Sequence, residues 1–144
     1  MHSHVPSLSL PDTEFIATFE RAGFSGHDFP HRAHLRMAWL YVRHRGIDDA
    51  IDQASNGIRR LAQAHGHTTL YHDTLTRAWV YLVADAAAST PVTDFDVFLA
   101  AHPELLDKNL LLRHYSPELL FSADARARWV APDLCAIPAA PGAS

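Results

Sequence analysis

His31-Arg32-Ala33-His34-Leu35-Arg36-Met37-Ala38-Trp39-Leu40-Tyr41-Val42-Arg43-His44 is the stretch that decides the fold class. It contains no glycine or proline, so nothing interrupts a helical hydrogen-bond ladder. From Leu35 to Val42 the only charge is Arg36. A helix apolar on nearly all sides belongs at the centre of a bundle, not on its surface. Pro30 stands where proline suits a helix start, and Gly46 closes the run.

The flanking segments supply the helices that would surround it. Upstream, Asp12 can cap a helix whose apolar stripe is Phe15, Ile16 and Phe19, ended by Gly23 and Ser25-Gly26. Downstream, Asp48 and Asp49 suit the positive end of a third helix, with Ile47, Ile51, Ala54, Ile58, Leu61 and Ala62 as its buried face. His65-Gly66 ends it. A fourth helix is expected from Thr68–Tyr71 to Ala88, with Leu75, Ala78, Trp79, Leu82 and Val83 facing inward. Thr93 and Asp96 resemble a capping box before a short helix holding Phe95, Phe98 and Leu99. Leu105–Leu112 and the Ser116-Pro117-Glu118 start add further short turns, with Arg32 and Arg36 left on solvated faces.

No segment alternates with the period of a strand, and no internal repeat is visible. The predicted fold is all-α: a single-domain helical bundle of four main helices, with short C-terminal helices and an extended proline-rich tail. The boundaries are an irregular N-terminal arm over 1–11, the bundle over 12–130, and an extended or disordered tail over 131–144.

Bulk chemistry narrows the partners. The 144 residues carry a formal charge of -4, and Arg59-Arg60 is the only adjacent basic pair, so no basic field exists to draw in nucleic acid or anionic lipid. Apolar runs are broken within a few residues by charges, which excludes a membrane span. Cys135 is the only cysteine, so no disulfide or thiolate cluster forms within one chain. With no secretory signal in Met1–Leu10, the cytoplasm is the expected compartment. A homodimer is left open. Gly-rich phosphate loops and a Ser-His-Asp pattern are missing, which argues against nucleotide hydrolysis and acyl transfer.

The unusual number is 11 histidines against 12 lysines and arginines. His2 and His4 fall in the arm; His27, His44, His65, His67 and His102 read as surface or loop residues. His31 and His34, three apart, share a helix face that continues through Ala38 and Tyr41. In Tyr71-His72-Asp73-Thr74-Leu75-Thr76, His72 shares the inward stripe of Leu75, Trp79 and Val83, with Tyr71 and Thr74 on the neighbouring edge. In an up-down bundle the second and fourth helices run the same way, which brings His31, His34 and His72 to one end.

Three neutral imidazoles suit a divalent transition metal (Fe, Zn, Cu or Ni) with positions open for water or substrate. The expectation is a small metal-dependent enzyme acting on a small-molecule substrate. His31, His34 and His72 would hold the ion; Tyr71, Tyr41 or Thr74 would orient substrate or water; Glu20 is the better placed of the nearby carboxylates. Oxygenase-like chemistry at Fe or Cu, or Lewis-acid chemistry at Zn, would use the same ligands. The competing reading is a non-catalytic helical ligand- or protein-binding module with structural histidines, since HxxH is a weak pattern and a buried imidazole bonded to a carbonyl needs no metal. His114-Tyr115-Ser116 reads as a capped turn, and Arg126 and Arg128 as groups that suit either an acidic substrate or water.

The ordered series F-P-H-R-A-H-L-R-M-A-W-L-Y, G-I-R-R-L, Y-H-D-T-L-T-R-A-W, R-H-Y-S-P-E-L-L and A-P-D-L resembles a family of small bacterial all-helical proteins. The resemblance runs from about Phe15 to Leu134; it implies no particular activity, but it marks His31, His34, His72 and Tyr71 as motif positions. The chain is also loosely similar to the DinB-type metal-binding bundles, which place three histidines on facing helices, but it lacks their late HxxxH-like pair.

Overall fold

The computed structural model describes residues 10–67 and 71–141, and among these every regular element is helical. The helices are α1 (Asp12–Glu20), α2 (His31–Arg45), α3 (Ile47–Ala64), α4 (Asp73–Ser89), α5 (Phe95–Ala101), α6 (Pro117–Leu120) and α7 (Ala123–Ala127). Short 3₁₀ turns occupy Gly26–Asp28, Pro103–Leu106 and Lys108–Arg113.

α2 is the central helix, as its composition requires. Leu35, Met37, Ala38, Trp39, Leu40 and Tyr41 are all buried, and α2, α3 and α4 each pack against the other two. α2 turns directly into α3 through Gly46 at φ 81°, a left-handed conformation that costs glycine nothing. α2 and α4 run in the same direction. The His31 ring at the start of α2 stands edge-on to Trp79 in the second turn of α4 at 4.5 Å, and at the far end Val42 and Arg43 share a hollow with Ala84 and Ala87. α1 packs on α3, and α7 on α4.

α1 closes against α3 through an unusually near approach. Gly57 on α3 faces the ring of Phe19, and a Cβ at that position would fall inside the van der Waals envelope of the ring carbons. Phe19 cannot easily yield. It is fully buried and stacked on Phe29 at 5.1 Å, and Phe29 in turn contacts Phe15 and Phe24.

Four local expectations need correcting. Asp12 does not cap α1; it lies inside the first turn and pairs with Arg36 at 2.8 Å. Arg36 is accordingly buried, with a second bond to the Leu10 carbonyl, and Arg32 pairs with Asp96 instead of facing water alone. α4 begins at Asp73 with His72 as its cap; of the earlier start expected, Thr68–Leu70 lie outside the described residues. Asp94, not Thr93, caps α5, because its carboxylate accepts from the Asp96 and Val97 amides.

The segment after Trp129 forms no helix or strand, bends at 133–135 and turns at 138–139, and is fastened at several points. The Thr74 hydroxyl donates to the Arg128 carbonyl at 2.7 Å and accepts from the Val130 amide at 3.0 Å. Tyr115 donates to the Val130 carbonyl, Asp133 takes two bonds from Ser116, and Ile137 is buried in the core. No helix among the described residues is long and apolar enough to cross a membrane.

Gly57→Ala tests the α1–α3 approach. Alanine improves helix propensity by about 1 kcal/mol, whereas forcing a methyl into a filled core costs about 1–3 kcal/mol. The expected result in urea unfolding is a lower midpoint with unchanged m-value; an equal or higher midpoint would show that Phe19 moves aside freely.

Candidate functional site

The parallel course of α2 and α4 leaves a cavity of about 520 Å³ between their first turns, a volume in the range of small-molecule sites. Its walls are mostly apolar: Phe29, Met37, Ile58, Leu75, Trp79 and Val80. The polar groups at its edge are His31, His34, His72, Tyr71, Thr76 and Lys108.

Local sequence explains how the first two imidazoles are set. Pro30 fixes an extended entry, and its carbonyl accepts from the Ala33 and His34 amides and from the His34 ring. His34 Nδ1 therefore carries the proton and donates at 3.1 Å, which leaves Nε2 as a bare acceptor. His31 Nε2 donates to the Leu105 carbonyl at 2.8 Å, leaving Nδ1 as the acceptor. Neither of these two remaining nitrogens has a partner among the described residues. Both rings also pack edge-on against aromatic walls, His34 on Phe29 and His31 on Trp79, each at 4.5 Å between centroids.

Burial lowers both histidine pKa values. For His34 the value falls from 6.5 to about 4; desolvation dominates, the Pro30 bond opposes it, and the nearby His31 and Lys108 add to the fall. His31 moves the same way, again chiefly through desolvation; the Leu105 bond and Asp107 oppose that shift, and Lys108 assists it. At neutral pH both rings are uncharged.

His72 is placed differently from the other two. Nδ1 accepts from the Leu75 amide at 3.0 Å and Nε2 donates to the Leu120 carbonyl at 2.6 Å. The ring touches the cavity but has no lone pair left for a ligand. It does the work usually given to Ser, Asp or Asn at a helix start. Among the described residues no group of three or more His, Cys, Asp or Glu side chains is arranged to hold a metal ion.

The expected second set of residues divides as well. Tyr71 lines the cavity, and its hydroxyl donates to the buried Asp73 at 2.8 Å; burial raises its pKa. Asp73 is further held by Arg77 at 2.8 Å and Arg59 at 3.5 Å. Tyr41 is buried away from the cavity and donates to Glu20, so neither residue reaches the histidines. Thr74 is fully buried and spent on the C-terminal segment. Ser116 caps α6 by accepting from the Leu119 amide at 3.3 Å, as the capped-turn reading expects, and the His114 ring donates to the distant Cys135 carbonyl at 2.8 Å. His2 and His4 lie outside the described residues.

Sequence reading passed over Lys108, which lies on the 3₁₀ turn Lys108–Arg113 and lines the cavity. It is exposed and has no hydrogen bond or ion pair among the described residues. A compositional signal was there to be seen: Lys108 is the only lysine in a chain with 11 arginines.

No protein-family model, curated protein or solved structure matches the chain.

Two measurements test this geometry. Replacing His72 by Ala removes a helix cap and strands the Leu120 carbonyl, a loss of about 2–4 kcal/mol in unfolding free energy. His72→Asn, which can still accept from the Leu75 amide, should recover about 1 kcal/mol of it. Full stability in His72→Ala would remove the capping role.

The second measurement is stability against pH. Because the folded His34 pKa lies below 6.5, the unfolded chain binds more protons between pH 6.5 and about 4. Stability is therefore full above 6.5 and declines as pH falls toward 4, with at most about 3 kcal/mol at stake from this group. In His34→Gln the decline over that window should be shallower; an unchanged slope would show that His34 does not titrate as a buried neutral ring.

Proposed function

We propose that this protein binds a small organic anion, with an apolar body enclosed between the starts of α2 and α4 and its charge set against Lys108. The observation that carries this reading is the lone lysine, unpaired, at the edge of an apolar cavity whose described lining contains no carboxylate. The uncapped start of α2 adds to the lysine, against the carboxylate of Asp107 that also acts on His31. α2 opens with no acidic residue in its first turn and no side-chain cap, so its positive end is uncompensated beside Lys108. The bare nitrogens of His31 and His34 would accept from a hydroxyl or amide hydrogen on the ligand, fixing its orientation. A simple aryl or alkyl carboxylate meets the charge and the apolar walls; a hydroxyl or amide group on it would also meet the two imidazoles. The histidines then serve as neutral, positioned acceptors.

A second reading, a metal held by His31 and His34, is favoured by those same two free nitrogens. It lacks a third protein ligand once His72 is committed to Leu75 and Leu120, and it puts a cation beside Lys108.

Titration with phenylacetate and its neutral amide, followed by tryptophan fluorescence with Trp79 in the cavity wall, separates the two. The acid should bind at least about tenfold more tightly than the amide, and Lys108→Gln should erase that difference, about 1.4 kcal/mol. Acid and amide binding alike, or neither binding, would overturn the reading. Stoichiometric uptake of zinc or ferrous iron by the wild type and its loss in His34→Ala would favour the metal.

A further inference from the structure

A second hollow, of about 730 Å³, lies next to the cavity along α3 and shares Phe29, His34, Ile58 and Tyr71 with it. The four common wall residues set the two hollows side by side, with His34 between them.

The two limbs differ in chemistry. The inner limb is walled by Met37, Leu75, Trp79 and Val80 and holds the lysine. In the outer limb the apolar floor shrinks to Leu61 and Ala62 beyond the shared residues, and the rim becomes Ser25, His27, His65 and His67. His65 donates through Nε2 to the Phe24 carbonyl at 2.8 Å, which leaves its Nδ1 as an acceptor. The outer limb thus offers hydrogen-bonding groups on short side chains with no lysine, arginine or carboxylate among its described lining.

We infer that the two hollows join past His34 into one bent channel and that the natural ligand is an elongated amphipathic acid: a carboxylate at Lys108, an apolar middle passing Ile58 and Phe29, and a second, uncharged hydrogen-bonding end at His65 and His67. This rests on the anion-binding reading and extends it to substrate class. A short acid fills only the inner limb. A long acid with a bare methyl end would bury apolar carbon against imidazoles, whereas a terminal hydroxyl would meet the His65 acceptor and the neighbouring rings.

The test uses the full chain and four probes: phenylacetate, butyrate, dodecanoate and ω-hydroxydodecanoate, below the concentration at which the long acids aggregate. In the wild type ω-hydroxydodecanoate should bind at least about tenfold more tightly than butyrate and more tightly than dodecanoate. Ala62→Trp fills the outer limb alone, because Ala62 does not line the inner one. It should abolish the gain of the long hydroxy acid while phenylacetate binds as before, which also shows that the variant is folded. A gain that survives Ala62→Trp, or no gain from chain length, overturns the channel while leaving the anion site standing. A methyl end as good as a hydroxyl overturns the polar terminus. Failure of all four acids overturns the anion site together with this extension of it.

Discussion

Two parallel helices that start side by side bring two positive dipole ends to one place, and that constraint shapes everything around the cavity. An antiparallel pair would cancel its end charges, but α2 and α4 cannot. α4 answers locally: an imidazole cap from His72 and the buried carboxylate of Asp73 lie in or beside its first turn. α2 has neither a side-chain cap nor an acid. What lies at its start is a proline carbonyl that takes three donors, two neutral rings, and a lysine delivered from a distant turn. The electrostatics of the cavity follow from this asymmetry. The start of α2 keeps its dipole uncapped beside Lys108, the histidines there stay neutral, and on the proposed reading an anion would complete the arrangement.

His72 shows why one stripe of a helical wheel does not distinguish a ligand from a cap. Its spacing to Leu75, Trp79 and Val83 does place it inward, on the α2 side. The wheel argument assumes, however, that His72 is already helical, and it is the residue before the helix, with φ -133° and ψ 109°. In that extended conformation the ring folds back over the first turn and meets the Leu75 amide. The other nitrogen then finds the Leu120 carbonyl, 48 residues away in sequence, a partner that no local pattern announces. Asp12, Thr93 and the start of α4 went astray for the same reason. Boundaries depend on which competing side chain reaches the free amides, and periodicity does not report that.

The fold itself was legible because it follows from composition: an uninterrupted apolar helix over His31–His44 has to be surrounded, and the segments on both sides have the period to surround it. The meeting of His31 and His34 at one end was legible too, since three residues along a helix fix a face. Lys108 was not, because its position depends on how the turns Pro103–Leu106 and Lys108–Arg113 fold back over the start of α2. That return is anchored by the His31 ring on the Leu105 carbonyl, a contact spanning 74 residues. Tyr41 and Thr74 were misplaced through their partners. Each is a polar group on an inward face that is already satisfied, by Glu20 and by the backbone of residues 128 and 130.

The site is also continuous with the core in a way that limits its freedom. Phe29 is a wall of both limbs of the channel and, at the same time, the ring on which Phe15, Phe19 and Phe24 pack. Phe19 is held in turn by the absence of a side chain at Gly57. A chain of contacts therefore runs from a glycine on α3, through two stacked phenylalanines, to the edge of the His34 ring. Close-packed interiors transmit displacement and do not absorb it. Any side chain that pushes Phe19 outward moves Phe29, and with it the bend at which inner and outer limbs join. The shape of the channel is thus set by the same packing that holds α1 on the bundle, and the neutral state of His34 depends on the same enclosure. Site and core are one structure here, which is why a cavity with so few polar groups can still position each of them.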